Sequence, residues 1–242
     1  YLTQDNFYLT RERDNIVIKQ EGAVVHRFPY RIIDGIVCFS YLGASPSLIE
    51  LCAKNQINLS FHTPQGRFCG RFVGPANGNV LLRRQQYRLA DNDLSLAYAK
   101  RFILAKISNA RKYLLRFRRD HRAKINQQLF EEVNTELTFA LEMVATARDK
   151  DTLLGIEGQA ANHYFRAFND LVLTDKQTFQ FKGRTRRPPQ DCVNALLSFG
   201  YSMLTYECQS ALEAVGLDSY VGFYHTDRPG RASLALDLVE EF

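Results

Sequence analysis

With 242 residues, 45% of them hydrophobic, and 31 Lys and Arg against 26 Asp and Glu, the chain carries a net charge of +5. That mixture excludes a disordered or collagen-like polymer and is long enough for one or two domains with real cores. No apolar run approaches the ~18–20 residues of a membrane span, so no membrane partner is expected.

The first ~74 residues read as β. Runs rich in branched and aromatic residues recur at Asn15–Lys19, Ala23–Phe28, Ile32–Phe39, Ile57–Phe61 and Arg67–Val73. Turn residues separate them at Arg13-Asp14-Asn15, Glu21-Gly22 and Thr63-Pro-Gln-Gly66. One helix interrupts the strands, opened by Ser45-Pro46-Ser47 and carrying Leu48, Ile49, Leu51 and Cys52. After Gly74-Pro75-Ala76-Asn77-Gly78 the period changes to that of helices: from Leu81, over Leu94–Phe117 and Ala123–Ala147, then Gly155–Leu173 and Pro189–Val215. The expected class is α+β, with a small β domain over residues 1–75 and a larger helical domain over 76–242.

The opening Tyr1-Leu-Thr-Gln-Asp-Asn has no basic or apolar leader, so no signal peptide is expected. Five cysteines without a CxxC pair point to reduced thiols and a cytoplasmic chain rather than a disulfide framework or zinc site.

Charge is unevenly placed. Residues 75–125 hold 13 Lys and Arg against three Asp, a local +10, whereas residues 126–180 hold nine acids and four bases. A second basic run, Lys182-Gly-Arg184-Thr-Arg186-Arg187-Pro-Pro, reads as a loop. Clustered guanidinium groups suit phosphate oxygens, which makes nucleic acid the natural polyanion. A solvated helix face is the competing reading of any such charge run.

No phosphate-cradling glycine loop and no nucleophile elbow is present. The last residues hold more chemistry. His225 stands beside a Pro-Gly turn, and a helix expected from about Arg231 presents Asp237 and Glu240 at i, i+3, on one face. One imidazole with carboxylates is a hard, oxygen-rich set suited to Mg²⁺ or Mn²⁺. Taken alone the spacing is weak, since a turn backbone could satisfy His225 and water could solvate the acids. Glu157 lies between Gly155 and Gly158 at the expected start of a helix whose Ala160, Ala161, Tyr164 and Phe168 form a buried stripe. A carboxylate on that side needs a partner, for which a metal or an Arg serves equally.

Together, Gly155-Ile-Glu157-Gly-x-Ala-Ala-x-x-Tyr164-Phe165, Gly222-Phe-Tyr-His225 and Arg231-x-Ser-Leu-Ala-Leu-Asp237-Leu-x-Glu240-Glu241-Phe242 resemble the CRISPR-associated spacer-acquisition integrases. The resemblance covers the whole chain, because that family also joins an N-terminal β domain to a C-terminal helical one. It implies a metal-dependent DNA endonuclease and integrase of CRISPR adaptation, inserting spacer DNA by attack of a 3′-OH on a phosphodiester. Glu157, His225 and Glu240 would be ligands for Mg²⁺ or Mn²⁺, and Asp237 an additional catalytic acid lining the site. Lys182, Arg184, Arg186, Arg187, Arg228 and Arg231, with Tyr164, would contact double-stranded and branched DNA. The family forms a homodimer through its β domains and pairs with a small CRISPR-associated protein that bridges two dimers. Its members continue past the last motif, so a helical domain truncated at Phe242 is expected. Two other readings stay open: a branched-DNA metal nuclease, and a non-catalytic DNA-binding scaffold.

Overall fold

The computed structural model describes residues 1–72, 74 and 79–242. The fold is α+β: among the described residues, six short strands precede a mostly helical region. Two compact units are present, Tyr1–Gly78 with Ala214–Gly216, and Asn79–Glu213 with Leu217–Phe242. The break expected between residues 75 and 76 lies outside the described residues.

Strands β1 (Phe7–Glu12), β2 (Asn15–Gln20) and β3 (Ala23–Pro29) form an antiparallel meander. Glu21 and Gly22, at φ 50° and 84°, make the two-residue β2–β3 connection with the left-handed backbone that a type I′ turn requires. β1 is not among the strands expected from sequence. Its FYLTRE run has few branched residues, and pairing with β2 from Phe7↔Gln20 to Glu12↔Asn15 decides its conformation. A second sheet joins β4 (Gly35–Cys38) in parallel to β5 (Asn58–His62), with β6 (Phe68–Phe72) antiparallel on the other side of β5. The crossover helix α1 (Pro46–Lys54) starts where Ser45 Oγ accepts from Leu48 N at 3.3 Å. Leu9, Ile16, Ile18, Ile36, Leu48 and Leu59 belong to one core.

The second unit begins with α2 (Val80–Ala90) and the long α3 (Leu94–Asp120). Ile103 and Ile107 of α3 pack with Phe130, Val133, Leu137, Ala140 and Val144 of α4 (Gln127–Thr146), residues three and four apart that fall on one helical face. α4 starts four residues later than its periodicity predicts, because Asn126 Oδ1 caps it by accepting from Leu129 N at 3.2 Å. α5 (Lys150–Arg166) starts earlier, where Asp149 Oδ1 accepts from Thr152 N at 2.7 Å. Glu157 therefore sits within a helix and not at its beginning. The chain then turns through α6 (Phe168–Leu171), continues with α7 (Cys192–Ala214), and ends with α8 (Ser233–Val239). Among the described residues no helix is long and apolar enough to cross a membrane.

Candidate active site

Three helices and one loop bring the acids together. α5 buries Leu153, Ile156 and Ala160 against α3 and α4, which leaves Glu157, next along the helix, at the edge of that core. Residues 217–232 lead into α8 and are held from both ends. Gln86 of α2 donates to the carbonyls of Asp218 and Val221 and accepts from Asp218 N at 2.8 Å. The Ser219 carbonyl accepts from Leu234 N at 3.0 Å. The loop carrying His225 is consequently fixed in place.

Asp237 is fully buried. Its Oδ2 accepts from the backbone N–H groups of Phe223 at 2.6 Å and Tyr224 at 2.9 Å, and its Oδ1 accepts from His225 N at 2.8 Å. His225 Nδ1 also lies 2.8 Å from Oδ1. A carboxylate can only accept, so Nδ1 carries a proton, and Nε2 is the ring nitrogen whose lone pair is free for a metal when the imidazole is neutral. Nε2 lies 3.7 Å from Glu240 Oε1. Asp237, expected to line the site, thus has both oxygens committed to the loop. It sets the orientation of His225 instead of presenting a free oxygen.

Glu157 and Glu240 converge on one cation, the ammonium of Lys106 from α3. Lys106 Nζ donates to Glu157 Oε1 and lies 2.5 Å from Glu240 Oε2. All three side chains are more than half shielded from solvent. Burial alone would lower the Lys106 pKa, but the charges of Glu240 and Glu157 outweigh it and hold the ammonium above its ordinary value. The Tyr224 hydroxyl is buried and has no hydrogen-bond partner among the described residues. Its pKa is raised by burial first, then by the nearby charges of Glu157, Glu240 and Asp237.

The basic residues separate into two groups. Lys182, Arg186, Arg187 and Arg228 are exposed. Arg184 is half-buried: it donates to the Thr185 carbonyl and to Asn194 Oδ1, both at 2.8 Å, and stacks over Tyr201. Arg231 donates to the Thr226 carbonyl and lies 3.4 Å from Ser233 Oγ. Arg184 and Arg231 thereby brace loops around the site. Tyr164 packs edge-on against Phe165 and Phe168. Burial and the neighbouring Tyr113 and Tyr201 push its hydroxyl pKa up to about 12. It lines a cavity of about 1100 Å³ shared with Tyr113, Tyr201 and Arg186, and Glu157 and Glu240 stand on the cavity wall.

The family described as CRISPR associated protein Cas1 matches residues 1–242. The chain is 42% identical over 243 residues to a CRISPR-associated endonuclease Cas1 of Chlorobaculum tepidum, covering all of this chain and 71% of that relative. The chain belongs to the Cas1 family. Its relatives of this name are CRISPR-associated endonucleases, and this chain is an enzyme of that class. Two solved structures share its fold. One is a casposase bound to integration product, with a TM-score of 0.77 and 26% identity over 98% of this chain and 67% of that one. The other is a partial Cas6-RT-Cas1–Cas2 complex, with a TM-score of 0.67 and 26% identity over 99% and 70%.

Sequence reasoning missed Lys106 in the site of this Cas1 family member, and it missed the role of Gly222. Lys106 was visible only as one of 13 bases in its segment, although it flanks the buried Ile103 and Ile107, an unusual place for a solvated lysine. Gly222 stood in the motif before His225, but its sequence context gave no reason for a glycine there. A Cβ there would lie 2.9 Å from Asp237 Oδ2 and from Ser233 Cβ, so the loop can reach Asp237 only because position 222 has no side chain.

The residues fit a divalent ion in donor chemistry. An ammonium already bridges two of the carboxylates, an imidazole nitrogen with a lone pair faces one of them, and an orphaned hydroxyl stands beside them. Among the described residues no three His, Cys, Asp or Glu groups stand close enough to enclose an ion as they are placed here. Lys106 occupies the space on which two of them converge.

Proposed function

We propose that this Cas1 family member is the integrase of CRISPR adaptation, joining the 3′-OH of captured DNA to a phosphodiester by transesterification. The observation that carries the reading is the convergence of Glu157 and Glu240 on one cation beside the lone pair of His225. Glu157, Glu240 and His225 Nε2 would hold Mg²⁺ or Mn²⁺. Such an ion, when bound, supplies Lewis-acid stabilisation of charge on phosphorus oxygens and activates the attacking hydroxyl.

The chain's own groups do the positioning. Asp237 keeps the proton on His225 Nδ1, so that Nε2 stays a donor of electrons. Lys182, Arg186, Arg187 and Arg228 hold phosphates of double-stranded or branched DNA on the surface around the site. Tyr164 and its aromatic neighbours provide apolar faces against which bases can stack.

The wider assembly belongs to the same proposal. In the first unit β3 is exposed along its whole length, Val24, Val25 and Phe28 included, as suits a strand covered by a second copy. The assembly is a homodimer with residues 1–75 as its dimerisation domain and 76–242 as the catalytic domain, bridged by a small Cas2-like protein; a Cas2 partner is supported by the fold shared with a partial Cas6-RT-Cas1–Cas2 complex.

The test is strand transfer on a branched DNA substrate with Mn²⁺, comparing wild type with Glu157→Ala and His225→Ala. Metal-dependent joined products that fall by ~10³-fold or more in both variants are expected. Cutting without joining would favour a plain branched-DNA nuclease. Tight binding indifferent to chelator and to both substitutions would favour a non-catalytic scaffold.

A further inference from the structure

Lys106 comes from α3, whereas the carboxylates it joins come from α5 and the end of α8. Without a cation between them, two shielded carboxylates would repel each other across a region of reduced dielectric. The ammonium removes that repulsion, and its side chain, 26% exposed, retains a path to solvent. Lysine suits a temporary role, because its compact charge sits on a flexible stem and binds without the fixed fork of arginine. A divalent ion and this ammonium cannot lie between the same oxygens, since each would repel the other.

We propose that Lys106 is a built-in counter-ion of the metal-free site: its ammonium holds Glu157 and Glu240 together and is displaced when a divalent ion takes their oxygens. The proposal rests on the metal reading above. Lys106 stays charged throughout, and the exchange is one cation for another. It follows that the protein keeps its helices in register before metal arrives, and that its affinity for metal is weaker than the ligands alone would set.

The experiment is calorimetric titration of chelator-stripped protein with Mn²⁺, together with thermal melting in chelator and in Mn²⁺, for wild type, Lys106→Met and Lys106→Arg. Lys106→Met is expected to bind Mn²⁺ about tenfold or more tightly, because the competing charge is gone. It should also melt lower than wild type in chelator and recover in Mn²⁺, giving a larger metal-induced shift. Lys106→Arg, which keeps a cation, should stay close to wild type. Unchanged or weaker Mn²⁺ affinity in Lys106→Met overturns the proposal. If that variant does not survive chelation, the wild-type Lys106 side-chain resonance is followed by NMR during Mg²⁺ titration. Movement towards a solvent-exposed lysine supports displacement, and a stationary signal overturns it. Absence of Mn²⁺ binding in wild type and variants alike overturns the metal reading as well. Glu157-dependent binding that ignores Lys106→Met overturns the counter-ion role alone.

Discussion

The Asp237 carboxylate has no exposed surface and accepts from three successive backbone N–H groups as well as from the imidazole of His225. The N–H groups of the loop it organises solvate this carboxylate, which offsets the cost of drawing it out of water. Replacing it by Asn removes the charge and turns an amide N–H₂ towards at least one backbone N–H. Asp237→Asn is therefore expected to lose ~2–4 kcal/mol of stability, read by chemical denaturation in the presence of chelator. A stability within ~0.5 kcal/mol of wild type would show that the loop does not depend on this acceptor. Sequence spacing had put Asp237 and Glu240 on one helical face with one purpose. In the folded chain Asp237 points into the loop and Glu240 towards Lys106, because the loop before α8 passes on the Asp237 side and leaves the Glu240 side open.

At the scale of elements, the site depends on how closely the segment before His225 approaches α8. Gly222 lies against Ser233 and Asp237, and its backbone N–H reaches Asp227 Oδ1 at 3.3 Å. A methyl group there forces the loop away from backbone as well as side-chain atoms, and neither can yield cheaply. Gly222→Ala is expected to cost ~1–3 kcal/mol and to weaken Mn²⁺ binding, measured by thermal melting and calorimetry. Normal stability with normal metal affinity would mean that α8 and the loop can separate without consequence. The helices themselves were readable from the 3.6-residue spacing of their apolar residues. The starts of α1 and α3 were readable too, but those of α4 and α5 were not, because the side-chain acceptors Asn126 and Asp149 decide them. β1 was missed for the opposite reason: its partner strand, and not its own composition, makes it a strand.

Across the whole molecule, the surplus of positive charge is concentrated in residues 75–125 and in the loop from Lys182 to Arg187. Part of it is already spent within the protein. Arg118 pairs with Glu131 and Arg119 with Asp120, while Lys106 and Arg184 are committed inside. Arg186 and Arg187 are exposed and pair with no carboxylate among the described residues, which suits their reading as phosphate contacts. Arg186→Ala with Arg187→Ala is expected to weaken DNA binding similarly for all sequences and to reduce the slope of log K against log salt by ~2. Fluorescence anisotropy over a range of salt concentrations measures both quantities. An unchanged slope would remove these two residues from the DNA interface.

The order of the β and helical regions and the location of the basic segments were legible in the linear chain, whereas Glu157, His225 and Glu240 were singled out together only by the family resemblance of their motifs. Periodicity and charge are properties of neighbours in sequence, and the region order and basic segments depend on little else. Tertiary structure alone decided that Glu157 and Glu240, from different helices, meet on Lys106 of a third. It also decided that Asp237 holds the His225 loop and that Gly222 must be bare, and that Arg184 braces a loop where Arg186 faces solvent. Each of these depends on which faces pack together, and burial then assigns a partner to every charge that is drawn out of water.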